Sequence, residues 1–83
     1  MEKIDKEFED ALAKSLKTIG GNLKRLREAA EKDLTEVAKA VQIKAEVLET
    51  IEEGTHEIRV SQLARLCAYY NVTPVDLFKY SEA

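Results

Sequence analysis

Few side chains in this chain of 83 residues have the types needed for catalysis or metal binding. The single histidine, His56, precedes Glu57 in a segment without helical periodicity. The single cysteine, Cys67, falls on an apolar helical stripe, where a thiol is typical of a small buried side chain. No Gly-rich phosphate loop, catalytic carboxylate pair or Cys/His metal spacing is present. We therefore expect no enzymatic activity, no cofactor and no metal site.

Charged side chains with a chemistry suited to binding are concentrated in the middle of the chain. Residues 31–58 carry eight acids and three bases, a net charge of −5, whereas residues 1–30 and 59–83 each carry +1. The three bases of the segment are Lys32, Lys39 and Lys44. These lysines either hold phosphates or are solvated surface charges. A nucleic-acid-binding surface usually has a basic footprint, so the acidic segment is the main conflict in this sequence.

Two short amphipathic helices must position these groups. The first begins at Asp33, where Asp33 and Glu36 have the spacing of a capping box. Gln42-Ile43-Lys44 interrupts the helical period, and the second helix ends at Gly54, a residue suited to a left-handed C-cap. Helices of about two turns are marginal in isolation. The remaining segments must therefore cover their apolar faces.

An additional amphipathic helix is predicted at the N-terminus, over residues 4–18. Its apolar stripe comprises Ile4, Phe8, Leu12, Ser15, Leu16 and Ile19. Gly20-Gly21 follows and, if it breaks the helix, separates this segment from the next. The stripe either packs on the domain behind it or forms a dimerisation arm. We therefore divide the chain into residues 1–18, the N-terminal helix, and residues 19–80, the main domain.

The main domain is predicted to be all-α and compact. Asn22 is a plausible N-cap for a helix over residues 22–31, and another helix spans residues 60–70. Thr73-Pro74-Val75-Asp76 is a strong start for a final short helix. No strand-like alternation is present. The predicted fold is a five-helix domain preceded by the N-terminal helix.

The composition is that of a globular chain, with 45% hydrophobic and 35% charged residues. No apolar run approaches the length needed to cross a membrane, and no signal-peptide pattern is present. One cysteine cannot form an intramolecular disulfide. We therefore expect a cytoplasmic protein that has no membrane partner.

From Ile19 to Phe78 the chain resembles the phage-repressor-like (Cro/repressor, XRE-type) helix-turn-helix family. The resemblance is carried by IGGNLKRLREAA, EVAKAVQI, VLETIEEG and LARLCAYYNVTPVDLF. It implies a repressor-like domain in which EVAKAVQI and VLETIEEG form the helix-turn-helix. It also implies a structural ion pair between Arg27 and Glu52, because the family commonly buries an arginine of its first helix against a glutamate at this position.

The function that the resemblance implies is transcription regulation, with a homodimer bound to duplex DNA. The second helix of the motif would enter the major groove. The residues that we expect at the DNA are Lys32, Thr35, Lys39, Lys44, Ala45, Glu46, Thr50 and Thr55. Lys32, Lys39 and Lys44 would hold phosphates from the edges of the motif.

Several residues of the same motif favour a different function. Leu34 stands where the family usually has a glutamine, and it can donate no hydrogen bond to a base or phosphate. Glu46, Glu49 and Glu53 would face the phosphates and repel them. The alternative hypothesis is a degenerate helix-turn-helix domain whose acidic recognition helix binds a protein. The sequence leaves both functions open.

Overall fold

The computed structural model describes the backbone of residues 2–79 and the side chains of residues 6–79. Within this range the only regular secondary structure is helical, so the predicted all-α fold is confirmed. Tyr80, the last residue of the predicted main domain, lies outside the described residues. The five helices are α1 (Glu2–Ala29), α2 (Leu34–Val41), α3 (Ala45–Glu53), α4 (Val60–Tyr70) and α5 (Pro74–Phe78).

Helix α1 is one continuous helix of 28 residues, so Gly20-Gly21 does not break it, and the two separate helices predicted over residues 4–18 and 22–31 are one. The N-terminal helix is the first part of α1 and not a separate element. Gly20 is buried where α1 crosses the end of α3, and a β-carbon there would lie 2.6 Å from the carbonyl oxygen of Glu52. The glycine therefore serves the close approach of two helices, and burial of its neighbours compensates for its low helix propensity.

Asn22 lies inside α1, so the prediction that it is the N-cap of a helix over residues 22–31 is wrong. Its side-chain amide donates hydrogen bonds to the carbonyl oxygens of Leu77, at 2.6 Å, and Lys79, at 2.8 Å. These carbonyls end α5 and would otherwise lack intrahelical partners. Asn22 therefore joins the middle of the first helix to the end of the last.

The hydrophobic core receives at least one fully buried side chain from every helix. These are Leu23, Val37, Leu48, Leu66 and Leu77. Burying a side chain of this size contributes about 1.5–3 kcal/mol relative to leaving it exposed. Helices too short to be stable alone are thus held by a shared core, which fixes α2 and α3 against α1 and α4.

The starts of α2 and α5 follow the predicted caps, with one difference. The carboxylate of Asp33 accepts a hydrogen bond from the Glu36 amide at 2.8 Å. The Glu36 side chain does not complete the capping box and instead lies 3.4 Å from the ammonium of Lys32. At α5 the box is complete, because Thr73 and Asp76 accept hydrogen bonds from each other's backbone amides.

The turn between α2 and α3 requires a left-handed residue, and Gln42 takes it with φ 59° and ψ 45°. A β-carbon is unfavourable in this region, and glycine avoids the cost. We expect Gln42→Gly to raise the free energy of unfolding by about 0.5–1 kcal/mol. Urea denaturation of the two proteins measures this difference. Because the side chain of Gln42 is exposed, a loss of stability would contradict the prediction.

Candidate nucleic-acid interface

Helices α2 and α3 form a helix-turn-helix whose turn is fixed by the core. Ile43, in the centre of the turn, is buried, and its amide donates to the carbonyl oxygen of Ala38 at 3.0 Å. Leu48 and Ile51 anchor the inner face of α3. The first turn of α3 is consequently held at the surface, where its amides have no intrahelical partners.

The N-terminus of α3 begins with a base. Lys44 is the N-cap residue, is exposed, and makes no capping hydrogen bond with its side chain. Free amides, the positive end of the helix dipole and a lysine ammonium therefore meet at one point. This combination suits an anion such as a phosphate group.

The outward face of α3 is acidic. Glu46, Glu49 and Glu53 are all exposed, and their spacing of three and four residues places them on one side of the helix. The fourth glutamate of the helix, Glu52, is buried. The exposed face of α3 therefore carries three carboxylates, and Lys44 precedes its first turn.

The expected DNA-binding residues of α3 and its end differ in their availability. Lys44 and Glu46 are exposed together at the N-terminal turn. Ala45 is half-buried and packs against the core. Thr50 is half-buried, and its hydroxyl donates to the carbonyl oxygen of Val47 at 2.7 Å. Thr55 is exposed, and its hydroxyl donates to the carbonyl oxygen of Thr50 at 3.3 Å.

The expected residues of α2 lie on a neighbouring surface. Thr35 and Lys39 are exposed and four residues apart, so they share one side of the helix. Lys32 precedes the helix and is also exposed, although its ammonium pairs with Glu36. Such an exposed pair contributes little to stability and can exchange for a phosphate. The structure therefore presents two bases along α2 and one at the start of α3.

Arg27 and Glu52 link α1 to α3 beneath this surface. The guanidinium donates Nε–H to one carboxylate oxygen at 2.8 Å and Nη2–H to the other at 3.0 Å. A third donor, Nη1, bonds the carbonyl oxygen of Lys32 at 3.2 Å. The side chains are only 16% and 5% exposed, respectively. One arginine thus fixes both the end of α3 and the segment that leads into α2.

The pKa values around this pair reflect the same contact. The hydrogen bond to Glu52 raises the pKa of Arg27 above its usual value, although burial acts in the opposite direction. Burial, aided by the charge of Glu52, raises the pKa of Tyr70 to about 12. Arg27 and Tyr70 therefore both keep their protons throughout the physiological range.

A pocket of about 180 Å³ opens between α1 and α3. It is lined by Lys24, Arg27, Leu34, Glu49, Glu52 and Glu53. Lys24 is exposed and brings a base from α1 beside the carboxylates of α3. Sequence reasoning does not indicate Lys24 as a site residue, because it precedes the motif and only the packing of α1 on α3 places it there.

Other kinds of site are not seen in the part of the chain that the structure describes. No group of three or more His, Cys, Asp or Glu side chains among these residues could hold a metal ion. Cys67 is buried, and burial raises the pKa of its thiol. None of the five helices is long and apolar enough to span a membrane.

Comparison with known proteins gives one family and one solved structure. A family model described as a helix-turn-helix domain matches residues 18–78. The crystal structure of the clp gene regulator ClgR from Corynebacterium glutamicum is similar, with a TM-score of 0.70 at 24% sequence identity. The match covers 75% of this chain and 66% of that chain. No curated protein shows significant similarity. The chain therefore belongs to the repressor-like helix-turn-helix family.

Proposed function

We propose that the protein is a DNA-binding transcription regulator that acts on duplex DNA as a dimer. The observation that carries the proposal is the exposed N-terminus of α3, held by the core and flanked by Lys44. In helix-turn-helix proteins this end of the second helix enters the major groove. The name of the similar structure, a gene regulator, supports the same function.

The exposed residues can be given roles by their chemistry. Lys44 and the free amides at the start of α3 would hold one phosphate, while Lys32, Thr35 and Lys39 would hold the backbone alongside α2. Glu46 can accept a hydrogen bond from the N4 amino group of cytosine. Ala45 offers a methyl group for contact with thymine. Thr50 and Thr55 would contact the DNA at the edge of this surface.

The acidic face of α3 makes each domain a weak binder. Glu46, Glu49 and Glu53 are exposed on α3 and would repel a duplex that carries one charge per roughly 1.7 Å. Two domains bound to one duplex would multiply their affinities through a high effective concentration. A dimer is therefore part of the proposal, with its recognition helices roughly 34–36 Å apart to match one turn of DNA.

Charge reversal at the start of α3 tests the function. We expect Lys44→Glu to weaken binding to random duplex DNA and to lower the slope of log K against log salt by about one phosphate contact or more. The measurement is a fluorescence-anisotropy titration over a range of salt concentrations. Unfolding in urea should be unchanged within about 0.5 kcal/mol, because Lys44 is exposed and makes no cap.

The matched control is Lys79→Glu, which reverses an exposed lysine outside the motif. This variant loses only an exposed pair with Asp76 and has the same net charge as Lys44→Glu. Equal effects of the two substitutions would show that only net charge matters and would remove Lys44 from the interface. Absence of salt-dependent binding by the unaltered protein would refute the DNA-binding function.

A second function is favoured by one observation, the continuous acidic face of Glu46, Glu49 and Glu53. A basic protein or peptide would fit this face, and the pocket beside Lys24 and Leu34 offers a recess next to it. The same titration separates the two functions. A protein-binding domain should show no DNA binding even at low salt, where counterion release makes non-specific binding visible.

A further inference from the structure

The N-terminal part of α1, residues 2–17, extends beyond the region that matches the family, and we call it the arm. A helix of 28 residues is about 42 Å long. The longest dimension of the molecule is 43 Å, so α1 spans its whole length. The arm meets the domain at its last residue, Lys17, whose α-carbon would lie 2.6 Å from a β-carbon on Gly54. From residue 6 to residue 14 every side chain of the arm except Leu12 is exposed.

The apolar stripe of α1 continues from the core into the arm. Ile19 and Leu23 are buried, and Leu16, Leu12 and Phe8 follow on the same side at helical spacing. Leu16 and Leu12 are only partly buried, and Phe8 is 67% exposed. No side chain from residue 6 to residue 18 is fully buried. One half of the stripe is thus buried in the domain, and the other half stays partly or largely exposed in the described chain.

The charges on the arm indicate what covers it. Residues 6–10 carry one base and three acids, a net charge of −2, whereas residues 11–18 carry two bases and no acid, a net charge of +2. Two parallel arms would place like charges together at both ends. Two antiparallel arms would place each acidic half beside a basic half, within the roughly 8–10 Å over which charges interact at physiological salt.

We propose that the arm is a self-association helix that pairs antiparallel with the arm of a second copy, through Phe8, Leu12 and Leu16. This inference deepens the proposed function, which requires a dimer. It rests on that function for the role of the dimer in DNA binding, whereas the interface itself is argued from the arm alone. The surface that pairs is apolar and exposed, and its charge pattern is complementary to itself in the antiparallel direction. A two-fold axis then relates the copies, as in most homodimers. The paired arms would place one domain at each end.

The experiment is sedimentation equilibrium on the full chain. We expect the unaltered protein to be a dimer, and Phe8→Ala to raise the dimer dissociation constant at least tenfold, because Phe8 is the largest apolar side chain of the proposed interface and large anchors carry most of an interface's energy. Phe78→Ala is the matched control, since Phe78 is also a half-exposed phenylalanine but lies on α5. It should leave the constant unchanged. Circular dichroism verifies that both variants remain folded.

Orientation is tested by reversing the charges of the basic half with Lys14→Glu and Lys17→Glu. In an antiparallel pair this change replaces attraction by repulsion and raises the dissociation constant. In a parallel pair it exchanges one like-charge contact for another and leaves the constant unchanged. An unchanged constant would overturn the antiparallel arrangement. A monomeric unaltered protein, or a dimer broken by Phe78→Ala and not by Phe8→Ala, would overturn the arm as the interface.

The failure of this inference is distinguishable from the failure of the proposed function. If the protein is a dimer through its arm and binds no duplex DNA, the DNA-binding function is wrong and the interface stands. If Phe8→Ala leaves both the dimer and DNA binding intact, the arm is not the interface and the DNA-binding function stands. A monomeric Phe8→Ala variant should still bind random duplex at low salt, but with lower affinity.

Discussion

Arg27→Met should lower the free energy of unfolding by ~3–5 kcal/mol, the largest loss that we expect from a polar side chain in this domain. Removing the guanidinium would leave the carboxylate of Glu52 charged, 95% buried in its side chain and without its two hydrogen bonds. It would also release the carbonyl oxygen of Lys32. Domains of this kind have about 5–15 kcal/mol of total stability, so the loss is severe. Urea denaturation followed by circular dichroism measures it.

Two further variants distinguish the contribution of the ion pair to stability from the contribution of the packing around it. The double variant Arg27→Met with Glu52→Met should recover most of the lost stability, because a buried pair replaced by apolar groups of similar size is often neutral. Lys24→Met removes an exposed base one turn earlier on α1 and should change stability by less than about 0.5 kcal/mol. If the double variant is no more stable than Arg27→Met, the loss comes from packing and not from an uncompensated charge.

Gly20→Ala and Gly21→Ala should have opposite effects although the two residues are adjacent. At Gly20 a β-carbon would meet the backbone carbonyls of Ile51 and Glu52, with the Glu52 oxygen at 2.6 Å and its carbon at 2.9 Å. Backbone atoms at a helix crossing cannot yield cheaply, so we expect a loss of about 1–3 kcal/mol or more. Gly21 has no atom within 4 Å of the same position. Alanine there should stabilise the helix by about 0.5–1 kcal/mol.

Thermal unfolding of the two variants, compared with the unaltered protein, provides the test. A fall in melting temperature for Gly20→Ala together with a rise for Gly21→Ala would show that α1 is continuous through the glycine pair. If Gly21→Ala also destabilised the protein, residue 21 would not be helical. The pair thus probes the one place where the sequence pattern and the fold disagree most clearly.

The local signals in the sequence located most of the helix ends. Asp33 and Thr73 start their helices as expected, and Gly54 ends α3 in the left-handed region with φ 76°. These predictions succeeded because a cap acts within one turn of its own residue, and its geometry does not depend on distant parts of the chain. The periodicity of apolar residues also predicted which faces of α2 and α3 are buried.

The predictions that failed depend on contacts between distant residues. Gly20 lies in a helix where α3 crosses it. Asn22 contacts the end of α5 because the fold brings Leu77, 55 residues later in the chain, next to it. Read alone, a glycine pair and an asparagine favour a break and a cap. Tertiary packing overrides such weak propensities wherever burial and hydrogen bonding provide more free energy than the local preference costs.

The sequence by itself determined the all-helical class, the helix-turn-helix segment and the acidic character of its outer face. Helical periodicity, capping residues and local charge depend only on the order of neighbouring residues. Only the tertiary structure decided that α1 is one helix, that Lys24 lies beside the carboxylates of α3, and that Phe8 continues a stripe whose other half is buried. Those facts depend on which surfaces meet. Burial and proximity are properties of the packed chain, and no window of neighbouring residues contains them.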